Sequence, residues 1–325
     1  MLKVDMRKVY TIGEALIDFI PHEIGVPIDE VVSFKKMPGG APANVAAAVA
    51  KLGGESSFIG QVGEDHFGYY LRGTLAAIGV DVSHMQHTNQ ANTALAFVAL
   101  KDDGEREFVF YRKPSADMLL SPEDVKGISF KPMDILHFCS VDLVEADVKY
   151  AHHEVIRKIK KAGGIVSFDP NVRKSLWDDL AAYQQTIQQF LPYSDLLKVS
   201  DDELAFITGL ESEEAAIQYL LEQPISLLIV TRGKQGATFY KKDLEVFVEG
   251  YEVKAIDTTG AGDSFVGAFL SRLSKLDKHI SQLTKEQLME IGKFAHATAA
   301  IVATKEGAIQ ALPSLSEVQS FMDRV

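Results

Sequence analysis

The chain has 325 residues, 46% hydrophobic and 24% charged, a balance that suits a globular core and excludes the disordered and fibrous classes. Its 33 basic and 45 acidic residues leave a net charge of −12 with no Lys/Arg block, so nucleic acid and anionic membranes are excluded as partners, while an anionic small ligand is not, because backbone dipoles can hold one. One cysteine, Cys139, excludes an intrachain disulfide and a Cys-based zinc site and suits a reducing, cytoplasmic setting; no apolar signal segment and no membrane-spanning run of about 18 apolar residues is visible.

The first predicted element is a strand run, VYTIGEALIDFI (9–20). The stretch 22–40 is extended and lacks helical period. A helix over 43–52, a strand over 56–63 and a helix over 65–78 follow. TALAFVALKDDGEREFVFYR (93–112) reads as two strands joined through DDGE, with Gly104 supplying the turn. Strands at 134–140, 164–170, 195–200 and 226–233 then alternate with helices such as 144–162 and 212–222. Alternation of this kind implies right-handed βαβ units and a three-layer α/β/α sandwich around a mainly parallel sheet. The runs are short and unbroken because both sheet faces are covered. The segments 22–40 and 93–112 break the rhythm. They are expected to form a small β-sheet lid over the carboxyl ends of the parallel strands; the alternative makes them edge strands of the main sheet. The last third is helical: GAGDSFVGAFLSRL puts Phe265, Val266, Phe269, Leu270 and Leu273 on one buried face, and 284–307 forms a long helix rich in alanine. No repeat or low-complexity linker appears, so residues 1–325 are expected to form one domain.

The chemistry concentrates in DTTGAGDSF (257–265). Gly260, Ala261 and Gly262 open a helix, where free N–H groups and the positive end of the dipole can meet phosphate oxygens. Asp263 follows in the first turn. It is either the base that takes a proton from a phosphoryl acceptor or a helix cap, and local residues leave both open. Rival motifs fail: Gly233-Lys234 is followed by Gln235, so there is no P-loop; no G-x-G-x-x-G follows the first strand; no H-E-x-x-H occurs. Near the N-terminus, Asp18 in GEALID and Gly39, Gly40 and Asn44 in PGGAPANVA could bind a polyhydroxylated ligand. A structural Asp18 is the competing reading.

GEALID, PGGAPANVAAAVAKLGG, GQVGEDHFG, TALAFV, GEREFVFYRKPSADMLL, FDPNVR, KVSDDEL and DTTGAGDSFVGAFL occur in this order. Together they resemble the ribokinase-like (phosphofructokinase-B) sugar kinases, from about residue 9 to 313. FYRKPSADMLL with FDPNVRKSLW is similar to the fructokinase branch. The resemblance implies ATP-dependent phosphorylation of fructose to fructose 6-phosphate. It implies Asp263 as general base and Gly260, Ala261 and Gly262 as the anion hole. Asp18, Gly39, Gly40, Asn44, Arg112 and Arg173 fall at sugar-contacting or phosphate-facing positions. Thr231, Gly233, Gly236 and Ser200 fall on the nucleotide side, and Ser200 stands where many sugar kinases have Asn. Glu203 matches a position that holds Mg²⁺ through water. Asp257, with carbonyls near Ala303 and Gly307, matches a K⁺ site. A homodimer paired through the lid edge is also implied. The same motifs admit 2-keto-3-deoxygluconate kinase or ribokinase as alternatives, and, from another class, an inactive sugar sensor.

Overall fold

The computed structural model describes residues 7–23, 25–100 and 106–324. Its strands are β1 (Lys8–Ile12), β2 (Leu16–Pro21), β3 (Phe34–Gly39), β4 (Glu55–Gly63), β5 (Met85–Thr88), β6 (Leu95–Leu100), β7 (Arg106–Tyr111), β8 (Ile135–Cys139), β9 (Ile165–Asp169), β10 (Leu196–Ser200), β11 (Leu227–Thr231), β12 (Gly236–Lys241) and β13 (Leu244–Glu249). Its α-helices are α1 (Ala41–Lys51), α2 (His66–Ile78), α3 (Asp147–Lys161), α4 (Leu180–Phe190), α5 (Leu204–Thr208), α6 (Glu213–Leu221), α7 (Ala261–Leu273), α8 (Lys285–Ala303) and α9 (Leu315–Met322).

Nine strands form the main sheet in the order β13-β12-β11-β10-β9-β8-β1-β4-β5. Seven of them, from β11 to β5, run parallel, and β12 and β13 close one edge antiparallel. Strand alternation divides the apolar side chains between two faces. On one face Phe138, Phe168, Leu197 and Val230 pack under α3, α4, α5 and α6. On the other, Ile135, Ile165, Leu196 and Ile229 pack under α1, α7, α8 and α9. Each such side chain taken from water contributes roughly 1.5–3 kcal/mol, so the two faces together hold the sandwich. Helix α7 is buried almost all round rather than on one stripe, because α1 and α8 flank it.

A separate four-stranded sheet has the order β3-β2-β6-β7; β2 and β6 pair parallel and the other neighbours antiparallel. It corrects two sequence expectations. The run 9–20 is not one strand: β1 ends at Ile12 in the main sheet, and β2 begins at Leu16 in the small one. Gly13 takes φ 145° at the break, a conformation open to glycine, and the apolar run hides it. Among the described residues of 22–40 only 34–39 form a strand; Pro27 to Glu30 forms a turn instead. The expected turn at Gly104 lies outside the described residues.

Candidate active site

The carboxyl ends of β1, β8, β9 and β10 meet the first turn of α7 at the point where the strand order changes direction, the usual ligand position in open α/β sheets. A cavity of about 310 Å³ opens there. The small sheet gives it one wall through Leu16 and Asp18 of β2 and Phe110 of β7; Gly40 and Asn44 line it at the start of α1. Across from them lie Asp169, Asn171, Arg173, Gly260, Gly262 and Asp263. Gly260 enters α7 at φ 72°, and a Cβ there would lie 2.5 Å from that of Ala308, so only glycine fits this turn.

Asp263 is 9% exposed. Its Oδ2 accepts a hydrogen bond from Asn44 Nδ2 at 2.8 Å, and Oδ1 faces Asn171 Nδ2 at 3.5 Å. The N-cap of α7 is Gly260, which has no side chain to cap with, and Asp263 lies in the first turn. The carboxylate faces two asparagine amides at the cavity. Burial pushes its carboxyl up to about 6; the Asn44 hydrogen bond opposes this, Asp169 adds to it, and Arg173 and Lys198 pull it back. A carboxyl tuned to that range suits general-base chemistry near neutral pH.

The loop carrying Arg173 is anchored from below. Tyr183 is fully buried, stacks on Trp177, and its hydroxyl accepts from the Arg173 backbone N–H at 3.0 Å. Asp18 stands against Gly39: a Cβ on Gly39 would overlap its carboxylate, so that glycine leaves room for the acid.

A second cavity of about 410 Å³ lies on the other side of α7. Thr231 and Gly233 line it from the end of β11, and α8 contributes His296 and, three, four and seven residues on, Ala299, Ala300 and Ala303 on the same face. The two cavities share Thr258 and Gly262. They thus meet at the helix N-terminus that carries Asp263.

Several expected site residues stand elsewhere. Arg112 does not line the first cavity. It is 5% exposed, and its guanidinium is committed to the carboxylates of Asp117 and Asp142 and to the Val141 carbonyl. Gly236 starts β12 against the backbone of Val248 and of Gly250, which lines the second cavity, without lining that cavity itself, and Ser200 caps the turn after β10. Glu203 completes that capping box: its oxygens accept from the N–H groups of Ser200 (2.9 Å) and Val172 (2.6 Å). Asp257 accepts from Thr259 N–H (2.7 Å) and Gly307 N–H (2.9 Å), and its own N–H donates to the Ala303 carbonyl (3.2 Å), so Asp257 lies against the Ala303 and Gly307 backbone. No cluster of three His, Cys, Asp or Glu side chains fit to hold a metal occurs among the described residues.

Sequence reasoning missed Glu14, Asp169, Asn171 and Lys198 in the first cavity and Lys234, Tyr251 and His296 in the second. The clearest available signal was Lys198, a charge inside the buried run LLKVS. Glu14 is buried, accepts from Ala41 N–H at 2.8 Å, and has its carboxyl raised by that burial against the pull of Arg112.

The model of the pfkB family of carbohydrate kinases matches residues 6–315. The chain belongs to that family. It is 44% identical to the probable fructokinase-2 of Arabidopsis thaliana over 315 residues, covering 97% of this chain and 95% of that one. A fructokinase double mutant from Vibrio cholerae O395, in a form bound to fructose, ADP and potassium ion, superposes with a TM-score of 0.89 at 37% identity, covering 97% and 98% of the two chains. The fructokinase of that organism bound to fructose, ADP and calcium ion gives the same score and identity over 97% and 99%. As a family member, this chain is a phosphotransferase of the ribokinase-like fold. No helix among the described residues is long and apolar enough to cross a membrane.

Proposed function

We propose that the protein is a fructokinase: it transfers the γ-phosphoryl group of ATP to fructose and releases fructose 6-phosphate and ADP. The observation that carries this reading is the pair of cavities meeting at the first turn of α7, with Asp263 on the sugar side. The relatives bound to fructose and ADP support the choice of ligands. The lining supports a neutral acceptor: Glu14, Asp18, Asp169 and Asp263 outnumber Arg173 and Lys198. Arg112, the cation a sugar acid would need, is committed to Asp117 and Asp142.

In this reading Asp18, Gly40 and Asn44 hold the sugar and Arg173 faces the phosphates. The small sheet, through β3, β6 and β7, acts as a lid that excludes water. The acceptor oxygen bonds to the γ-phosphorus and the bond to the β,γ-bridging oxygen breaks, its electron pair leaving with ADP. The hydroxyl proton passes to Asp263, and the N–H groups of the 260–262 turn hold the phosphoryl oxygens. Mg²⁺ neutralises phosphate charge when ATP carries it in. Such an ion would be held by the phosphates and water, with Glu203 as the residue beyond the water. K⁺ is assigned to Asp257 and the turn from Ala303 to Gly307.

The test is a panel of sugars with Mg·ATP, scored by ADP release, with arms lacking Mg²⁺ or with Na⁺ for K⁺. Fructose is expected to give the highest kcat/KM, and both ion changes to lower the rate. A preference of about tenfold, one step of 1.4 kcal/mol, for ribose or 2-keto-3-deoxygluconate would overturn the fructose assignment.

A further inference from the structure

We propose that Lys198 is a further catalytic residue of this phosphoryl transfer: its ammonium group contacts an oxygen of the phosphoryl group in flight, beside the backbone donors of α7. The inference rests on the sugar-kinase reading above.

Lys198 lies on β10, where Leu196 two residues earlier packs into the core on the α7 side. Alternation aims Lys198 at the same side, under the helix N-terminus. It is 8% exposed. Its Nζ donates to the two Asp169 oxygens at 3.1 and 3.3 Å. The same Nζ lies 3.6 Å from where a Cβ on Gly262 would sit. Gly262 lines both cavities, and Lys198 lines the sugar-side one. The ammonium is therefore held where the transferred group has to pass.

The fold does not require this charge. Removing two charges from water is costly, and a well-packed apolar pair at such a place is often as stable or more so. The reaction has a use for it, since an incoming phosphoryl group meets the carboxylates of Asp18, Asp169 and Asp263. An ammonium has three donors, so one remains beyond the two given to Asp169. Burial alone would lower the lysine's pKa, but the charge of Asp169, helped by Glu203 and Asp263, drives it up instead. Lys198 thus keeps its proton throughout transfer. It acts as a fixed cation, and the proton from the sugar still goes to Asp263. Asp169, which holds the ammonium, is a positioning residue.

The test compares wild type, Lys198→Met and the double variant Lys198→Met with Asp169→Asn, each assayed on the sugar the wild type prefers. Lys198→Met is expected to lose about 10²–10³-fold in kcat, as for removal of one transition-state donor. KM for the sugar should stay within about threefold, because the interaction is made in the transition state. The acid limb of kcat against pH should move up, since Asp263 loses one cation and keeps Asp169 and Arg173 beside it. The single variant leaves a buried carboxylate unpaired and can unfold for that reason alone. The double variant removes both charges, so it should recover thermal stability and remain about 10²-fold slow. A stable double variant with kcat within about tenfold of wild type would make the pair structural and overturn the proposal alone. A wild type that phosphorylates no sugar would overturn the kinase reading and the proposal with it.

Discussion

Asp263 holds a charge in a place that disfavours it, and that tension yields opposite effects on rate and stability. Its carboxyl is raised from 3.8 to about 6, first by burial. The native state therefore binds the proton more tightly than the unfolded chain. Its contribution to stability falls as pH rises from about 4 to 6, and above that the loss is complete, up to ~3 kcal/mol. Asp263→Asn removes that loss. Thermal unfolding is expected to show a higher Tm for the variant at pH 7.5 and no gain near pH 4. Turnover should fall by about 10²–10⁴-fold, and wild-type kcat should decline below a pH of about 6. A variant as fast as wild type would place the base elsewhere; one less stable at pH 7.5 would mean that burial is not what raises the carboxyl. The residue type and its place before a helix were legible in DTTGAGDSF. Its orientation was not, because Asn44 and Asn171 come from 219 and 92 positions away.

The parallel strands and the helices between them were readable because each is a short apolar run with both faces covered. The small sheet was readable only in part. Strand β2 sat inside an apolar run that crosses from one sheet to the other, and nothing but Gly13 marks the crossing. Strands β12 and β13 and helix α4 went unread. Lys198 and Asp169 pair only once β9 and β10 are side by side, which local pattern does not reveal. The small sheet's role also belongs to this scale. Asp18 and Phe110 make it a wall of the sugar-side cavity, so bound fructose should order it. Amide hydrogen exchange of 18–20 and 94–97 is expected to slow with saturating fructose. Equal exchange with and without sugar would make the sheet a fixed wall and not a lid.

At the scale of the whole molecule, the small sheet ends in two edge strands, β3 and β7. Tyr111 on β7 is 64% exposed and Val32, just before β3, 89% exposed. Unpaired edges and bare apolar side chains favour pairing with a second copy. Sedimentation equilibrium is expected to find two chains per particle; a single chain at micromolar concentration would contradict pairing through this edge. The two cavities and the turn between them make a stronger claim, that this chain moves a phosphoryl group from ATP to a hydroxyl of fructose. Product identity tests it most directly. Fructose and ATP are incubated with the protein and the products read by phosphorus-31 NMR. The account predicts ADP and a phosphomonoester whose phosphorus couples to the C6 methylene protons. ADP with free phosphate and unchanged fructose, or an ester at another carbon, would contradict it.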